Sequence, residues 1–272
     1  MSEILRDLAP SKLIMAIEDN TIGSIQSWTK WSGLHLHQDP DLLWTSSEIP
    51  YFIFNIVLSV RSPTAEPLAV IDVALSQAKE RKVPIAWWVG PSNPIPDLAE
   101  GLEEKGFALG AELTGMAVDL HELDEKASVP QGFTLSRVDD GDALATWCQI
   151  MTAVSGFPDF ASSAWLKMYQ DIEILDDPRW HLYLGDIDGT PAGTSALFLD
   201  QGVAGIHGVT TIPEYRGRGV GTAMTLSPLI DAGRKGYAIG VLFSSEMAVG
   251  IYRKLGFKEY AKGYIYLWQE PE

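Results

Sequence analysis

Val209-Thr-Thr-Ile-Pro-Glu-Tyr-Arg-Gly-Arg-Gly-Val-Gly-Thr222 decides the reading of this chain. The apolar run from Val203 to Thr211 enters it as a strand, Pro213-Glu214 turns the chain, and Gly217, Gly219 and Gly221 lead into a helix expected to reach Arg234. Glycines at such a junction let the backbone close on a ligand, and the free N–H groups of a helix start point outward. The helix end adds a partial charge of roughly +0.5, and Arg216 and Arg218 add full ones. Together these describe a diphosphate site. The spacing excludes two common kinds. A dinucleotide fingerprint needs G-x-G-x-x-G, but Thr222 stands where its last glycine belongs, and the Gly-Lys-Ser/Thr of a nucleotide-phosphate loop is absent.

Around this segment, strands and helices alternate. Phe133–Arg137 reads as a strand, Gly141–Val154 as a helix broken by Ser155-Gly156-Phe157-Pro158, and Ser163 to Ile172 as a second helix. Trp180 to Asp186 and Pro191 to Leu199 read as strands about a turn at Asp188-Gly189. Ala238 to Phe243 is a strand, and Glu246 to Leu255 a helix closed by Gly256. Phe257 to Tyr260 and Tyr264 to Trp268 read as two last strands. Such an order predicts an α/β (α+β) fold, a mixed sheet flanked by helices. Pro228 falls inside the helix after the glycines and predicts a kink there.

Arg216-Gly-Arg-Gly-Val-Gly221 fits R/Q-x-x-G-x-G/A, and Ser245-Glu-Met-Ala-Val-Gly-Ile-Tyr252-Arg-Lys-Leu-Gly-Phe257 fits N/S-x-x-A-x-x-x-Y-x-x-x-G-F. With both motifs in order and a strand between them, residues 133–268 resemble the GNAT superfamily of N-acetyltransferases. The resemblance implies the acyl-CoA N-acyltransferase fold. It implies that acetyl-CoA is the cosubstrate and that no metal is needed. The CoA pyrophosphate would lie on Arg216, Gly217, Arg218, Gly219, Val220, Gly221 and Thr222. The pantetheine arm would pair with Val209, Thr210 and Thr211 on a strand that splays from its neighbour, with Ser245 beside it.

The chemistry fits these residue types. An amine attacks the thioester carbon and CoA leaves as a thiolate. A thiol of pKa near 8.5 leaves more readily when a neighbouring acid protonates it or donates a hydrogen bond, and tyrosine, near 10, can do so. The resemblance gives that role to Tyr252 and gives the oxyanion to the N–H of Val209. The usual base, a glutamate on the strand preceding the loop, is missing, because Val203-Ala-Gly-Ile-His-Gly-Val209 carries no carboxylate. His207 is the candidate, two residues before Val209 and on the same face by strand alternation. Glu246 is more simply a first-turn carboxylate of its helix. Phe157, Asp159 and Phe160, in the connection that borders the acceptor site in the family, are candidate acceptor contacts. The alternative function is a non-catalytic acyl-CoA-binding or sensing protein.

The charged stretch from His121 to Gln131 reads as a linker, so the expected domains are 1–128 and 129–272. In the first, Tyr51 to Val60, Pro67 to Lys82, Pro84 to Val89, Asp97 to Lys105 and Leu113 to Leu120 repeat the strand–helix order of the second. Arg61-Ser-Pro-Thr-Ala-Glu-Pro67 has no glycine loop, and Gly101-Leu-Glu-Glu-Lys-Gly106-Phe107 lacks the tyrosine. It resembles a degenerate copy of the same GNAT-like fold, giving two such domains in tandem, and the alternative is an unrelated α/β domain.

Composition limits partners. With 272 residues, a net charge of −16, 46% hydrophobic residues and one cysteine, the chain predicts a globular, cytoplasmic protein, monomer or homodimer. Its charge disfavours nucleic acid and favours an amine-bearing acceptor, a small molecule or a peptide. No apolar run is long enough to span a membrane. His35, His37, Asp39 and Asp41 match no metal-ligand spacing, and Trp87-Trp88 reads as core.

Overall fold

The computed structural model describes residues 3–61, 66–93, 95–124 and 129–270. Residues 125–128 of the expected linker and 62–65 of the first half's glycine-free segment lie outside them. In chain order the elements are α1 (Pro10–Ser27), β1 (His35–Gln38), β2 (Leu42–Ser46), β3 (Ile56–Val60), α2 (Pro67–Arg81), β4 (Ile85–Val89), α3 (Leu98–Glu104) and β5 (Ala108–Asp119). They continue with β6 (Phe133–Arg137), α4 (Gly141–Val154), α5 (Asp159–Asp171), β7 (Trp180–Ile187), β8 (Thr190–Asp200), β9 (Val203–Thr211), α6 (Val220–Arg234), β10 (Ile239–Ser245), α7 (Glu246–Lys254) and β11 (Lys258–Trp268).

The compact units do not divide at residue 128. One joins the chain up to Ser24 with Gly115–Tyr260, and the other joins Ile25–Thr114 with the chain from Ala261. Strand β5 therefore begins in one unit and finishes in the other, and β11 does the reverse. The two last strands expected from the sequence are one strand. Gly263 lies in it because a Cβ there would fall 2.1 Å from the Trp88 ring.

In the first unit the strand order is β6-β7-β8-β9-β10-β5. Tight antiparallel turns build its β7–β8–β9 meander. Asp188-Gly189 and Gln201-Gly202 supply two successive residues at positive φ, as two-residue hairpins require. The alternation of β9 separates its faces. Ala204 and Ile206 pack with Val220, Met224 and Leu229 of α6, while Val203 packs with Leu13 and Ile17 of α1. Helix α6 continues through the buried Pro228, which gives no N–H to its own ladder.

In the second unit the order is β1-β2-β3-β4-β11-β5. Strands β3 and β4 run parallel, joined by α2, whose Ile71, Ala74 and Ala78 pack on Ile85 and the buried Trp87. His37 stacks on Trp44 at 4.0 Å and its Nε2 lies 2.8 Å from the Ser46 hydroxyl, so its partners are local. Among the described residues no helix is long and apolar enough to cross a membrane, and no cluster could hold a metal ion.

Candidate acyl-transfer site

The site starts where two parallel strands part. Pairing of β9 with β10 comprises Ala204 with Gly240 and Gly205 with Val241. Beyond it β9 continues to Thr211 and β10 to Ser245. On its other side β9 carries a bulge: Ala196 faces His207, yet Thr194 faces Thr210, so one extra residue lies on β9. Gly208 takes up the distortion at φ +56, and the ladders pass over both Gly208 and Val209.

Two buried threonines fasten this bulge. The Thr194 hydroxyl donates to the Gly208 carbonyl at 2.9 Å and, its one hydrogen spent, accepts from Thr210 at 2.6 Å. A trans peptide points its C=O and N–H in opposite directions. Holding the Gly208 carbonyl against Thr194 therefore aims the Val209 N–H away from Thr194.

The glycine loop follows. Gly217 at φ +75 and Gly219 at φ +89 occupy backbone that other residues adopt only under strain, and Gly219 is the N-cap of α6. Gly221 differs: it is helical, and a Cβ there would lie 3.6 Å from Thr211 Oγ1 and 3.8 Å from Ile251 Cδ1. The end of β9, the first turn of α6 and α7 thus converge around it, with Thr222 exposed to an intermediate degree beside it. Arg216 is exposed and its Nε donates to the Thr211 carbonyl at 3.3 Å; Arg218 is exposed and lies over the Tyr215 ring. Neither forms an ion pair among the described residues, so both charges are available at the helix start.

Tyr252 points inward from α7, 7% exposed, in the cluster that holds Val220 and Phe257 and against which Val209 packs. Burial pushes its phenol up to about 12, opposed by a hydrogen bond with Thr225 of α6. Thr225 is itself buried and its hydroxyl donates to the Gly221 carbonyl at 2.9 Å. Tyr252 is thereby linked to the first turn of the loop helix. Ser245 is the exposed N-cap of α7 and its side chain makes no capping bond.

His207 departs from expectation. Alternation would have put it on the face of Val209, but the extra residue at Gly208–Val209 reverses the phase. Val209 faces the α6 cluster, whereas the His207 ring lies 5.9 Å from Trp180 and 6.3 Å from Phe198, with Nε2 3.0 Å from Oδ1 of Asn20 on α1. Burial lowers its basicity to about 4, so it is a neutral imidazole at pH 7. Asn20 had no sequence signal. The acceptor candidates are less drawn in: Phe157 packs edge-on against Trp165 at 5.6 Å, Asp159 is the first-turn carboxylate of α5, and Phe160 is half exposed. Glu246 stands in the first turn of α7 as expected.

A second buried histidine gives a test of these environments. His181 accepts from Lys235 Nζ at 2.9 Å, and burial, followed by the charges of Lys235 and Arg137, lowers it from 6.5 to about 4. The unfolded chain takes up this proton near 6.5 and the folded one only near 4. The stability it lends is whole above 6.5 and is lost as pH falls toward about 4. Urea midpoints should fall more steeply across that window in the parent than in His181→Gln. Equal slopes would mean that His181 titrates normally.

A parted parallel pair, a bulged strand, a glycine loop at a helix start and a tyrosine on the next helix define an acyl-CoA N-acyltransferase fold. Residues 144–257 match the acetyltransferase (GNAT) family model and are an acetyltransferase domain of that family. The chain is similar to a GCN5-related N-acetyltransferase from Kribbella flavida, at 18% identity over 94% of this chain and 96% of that one, TM-score 0.67. It is similar to another from Sphaerobacter thermophilus, at 16% identity over 97% and 94%, TM-score 0.63. It is also similar to a tandem GNAT protein from the clavulanic acid biosynthesis pathway, at 15% identity over 97% and 95%, TM-score 0.62. At such identities the likeness shows the fold, a mixed α/β GNAT fold matched over most of the chain. No curated protein matches it.

Proposed function

We propose that the chain is an acetyl-CoA-dependent N-acetyltransferase acting on an amine of a small molecule or peptide. One observation carries the reading: β9 leaves β10 after Gly205 and Val241, and the gap lies beside the α6 helix start and Tyr252. In this reading the diphosphate lies on the N–H groups of 217–222 with Arg216 and Arg218 beside it, and the pantetheine runs along Val209, Thr210 and Thr211 past Ser245. The amine approaches on the His207 face, near Phe157, Asp159 and Phe160. Its nitrogen bonds to the acetyl carbon, the carbonyl oxygen gains charge opposite the Val209 N–H, and the C–S bond breaks. The departing sulfur, a thiolate, accepts a hydrogen bond from the Tyr252 hydroxyl, which keeps its proton, and the amine proton leaves through His207 to water.

The phenol near 12 is a weaker acid than an ordinary tyrosine, so it stays protonated and donates across the working pH range. Within the first 128 residues, the part from Ile25 to Thr114 acts as a degenerate GNAT-like domain, a view supported by the parallel β3–α2–β4 unit, which repeats β9–α6–β10. The absence of a carboxylate from β9 favours a second reading, a non-catalytic acyl-CoA sensor.

Thiol release from acetyl-CoA against a panel of amines separates the two: binding without release from any amine supports the sensor. Calorimetry should give one CoA per chain, because only the segment 216–221 supplies the glycine loop. A stoichiometry of two would overturn the degenerate-copy view.

A further inference from the structure

Asn20 lies 187 residues from His207 in sequence and is 1% exposed. Its Nδ2 donates to the carbonyls of Phe198 and Asp200, each at 3.2 Å, which uses both amide hydrogens. Its Oδ1, turned to His207 Nε2 at 3.0 Å, can only accept. The hydrogen between them therefore belongs to Nε2, and Nδ1 of the neutral ring is left with its lone pair. Nδ1 has no hydrogen-bond partner among the described residues and is not sealed from solvent.

The strand makes room for this arrangement. A Cβ on Gly205 would lie 1.8 Å from Asn20 Oδ1 and 2.9 Å from His207 Nε2. Any larger residue at 205 displaces the amide. Gly205 keeps an ordinary negative φ, so this close approach, and not backbone conformation, accounts for the glycine.

We infer that Asn20, from the first helix, is a positioning residue that fixes His207 as the Nε2–H tautomer and turns its Nδ1 lone pair toward the acceptor amine. The inference rests on the proposed acetyl transfer. The arrangement is the one a proton acceptor needs: one nitrogen anchored by donation and the other open. Charged and titratable groups on the packed elements are Lys12, Glu18 and Asp19 of α1, His181 and Asp186 of β7, and Asp200 of β8, the last 4.0 Å from Arg179. None of them sets the basicity of His207, which burial alone lowers. Trp180 and Phe198 complete the surroundings and carry no charge.

Two measurements on the full chain test this. Long-range proton–nitrogen NMR of the imidazoles, with His207→Gln for assignment, should place a protected hydrogen on Nε2 of His207 at neutral pH. It should vanish in Asn20→Ala and in Gly205→Ala. A hydrogen on Nδ1 in the parent, or one that survives both changes, overturns the tautomer assignment whether or not any amine is turned over.

In the thiol-release assay Asn20→Ala should lower turnover about tenfold, the coupling expected of bonded neighbours, with acetyl-CoA affinity unchanged. Once His207 is Gln, the same change should cost nothing further. Asn20→Asp should move the acid limb of the rate upward, since a carboxylate stabilises the imidazolium. Additive losses in the double variant, or an unmoved acid limb, would make Asn20 a structural residue only. Release from no amine by the parent would remove the proposed function and the proton-acceptor role together, and leave the NMR result to decide the tautomer.

Discussion

Tyr252→Phe should lower turnover by about 10²–10⁴-fold, the usual worth of a general acid, with little change in folding or acetyl-CoA affinity. The ring stays in its cluster with Val220 and Phe257, so packing is preserved. What is lost is the hydroxyl with its bond to Thr225, and its hydrogen is needed most as the sulfur becomes a thiolate, so the fall belongs to kcat and not to binding. The buried phenol adds a pH signature. Because it is pushed up to about 12, it remains a donor throughout the range in which the protein can be assayed. The parent should therefore show no alkaline loss of rate that Tyr252→Phe removes. If the variant turns over within about twofold of the parent, where a far larger loss is expected, Tyr252 is a packing residue and water serves the sulfur.

Replacing Gly219 should abolish acyl-CoA binding at ordinary concentrations. Its N–H and those beyond it form the helix start, and each charge-assisted bond to a diphosphate contributes about 1.5–3 kcal/mol. Two such bonds lost weaken binding at least about a hundredfold. Gly219→Val combines a side chain in the loop with strain at φ +89. Gly219→Asn keeps the strain small, since asparagine tolerates left-handed backbone, and so isolates the effect of the side chain. Calorimetry with CoA, beside a thermal melt of each variant, separates binding from folding. Normal affinity in a folded Gly219→Asn places the pyrophosphate elsewhere.

Gly217 and Gly219 were legible in the sequence because the loop demands positive φ, which only glycine adopts freely, and the structure gives both that backbone. The limits of β9 and α4 fell as expected because residues that break strands and helices flank them, Gly202 and Pro213 for β9, Asp140 and Gly156 for α4. Helix α1 was not read. Glu18, Asn20 and Ser24 are buried in it, so its inner face is not apolar and its pattern does not announce a core helix.

The face of His207 was misread for a related reason. A bulge is a single extra residue between two correctly read stretches of strand, and alternation counts through it without warning. The division of the chain was hidden too. The stretch from His121 has a linker's composition, but contacts join Met116 and Val118 to Leu197 and Val220, and β11 carries Tyr266 to Trp87. Such pairings depend on residues far apart in sequence, and local composition does not record them.

The bond between Asn20 and His207 also has a meaning in time. Helix α1 is made before its partners Phe198, Asp200 and His207, which are added 178 to 187 residues later. At a synthesis rate of roughly 5–20 residues per second, the interval is roughly 10–40 s. Through it Leu13 and Ile17 lack the β9 and β10 residues that bury them. Folding of this unit therefore waits on the ribosome, and until β9 and β10 emerge the growing chain carries Leu13 and Ile17 uncovered beside polar groups not yet paired, a natural client for chaperones that act on nascent chains.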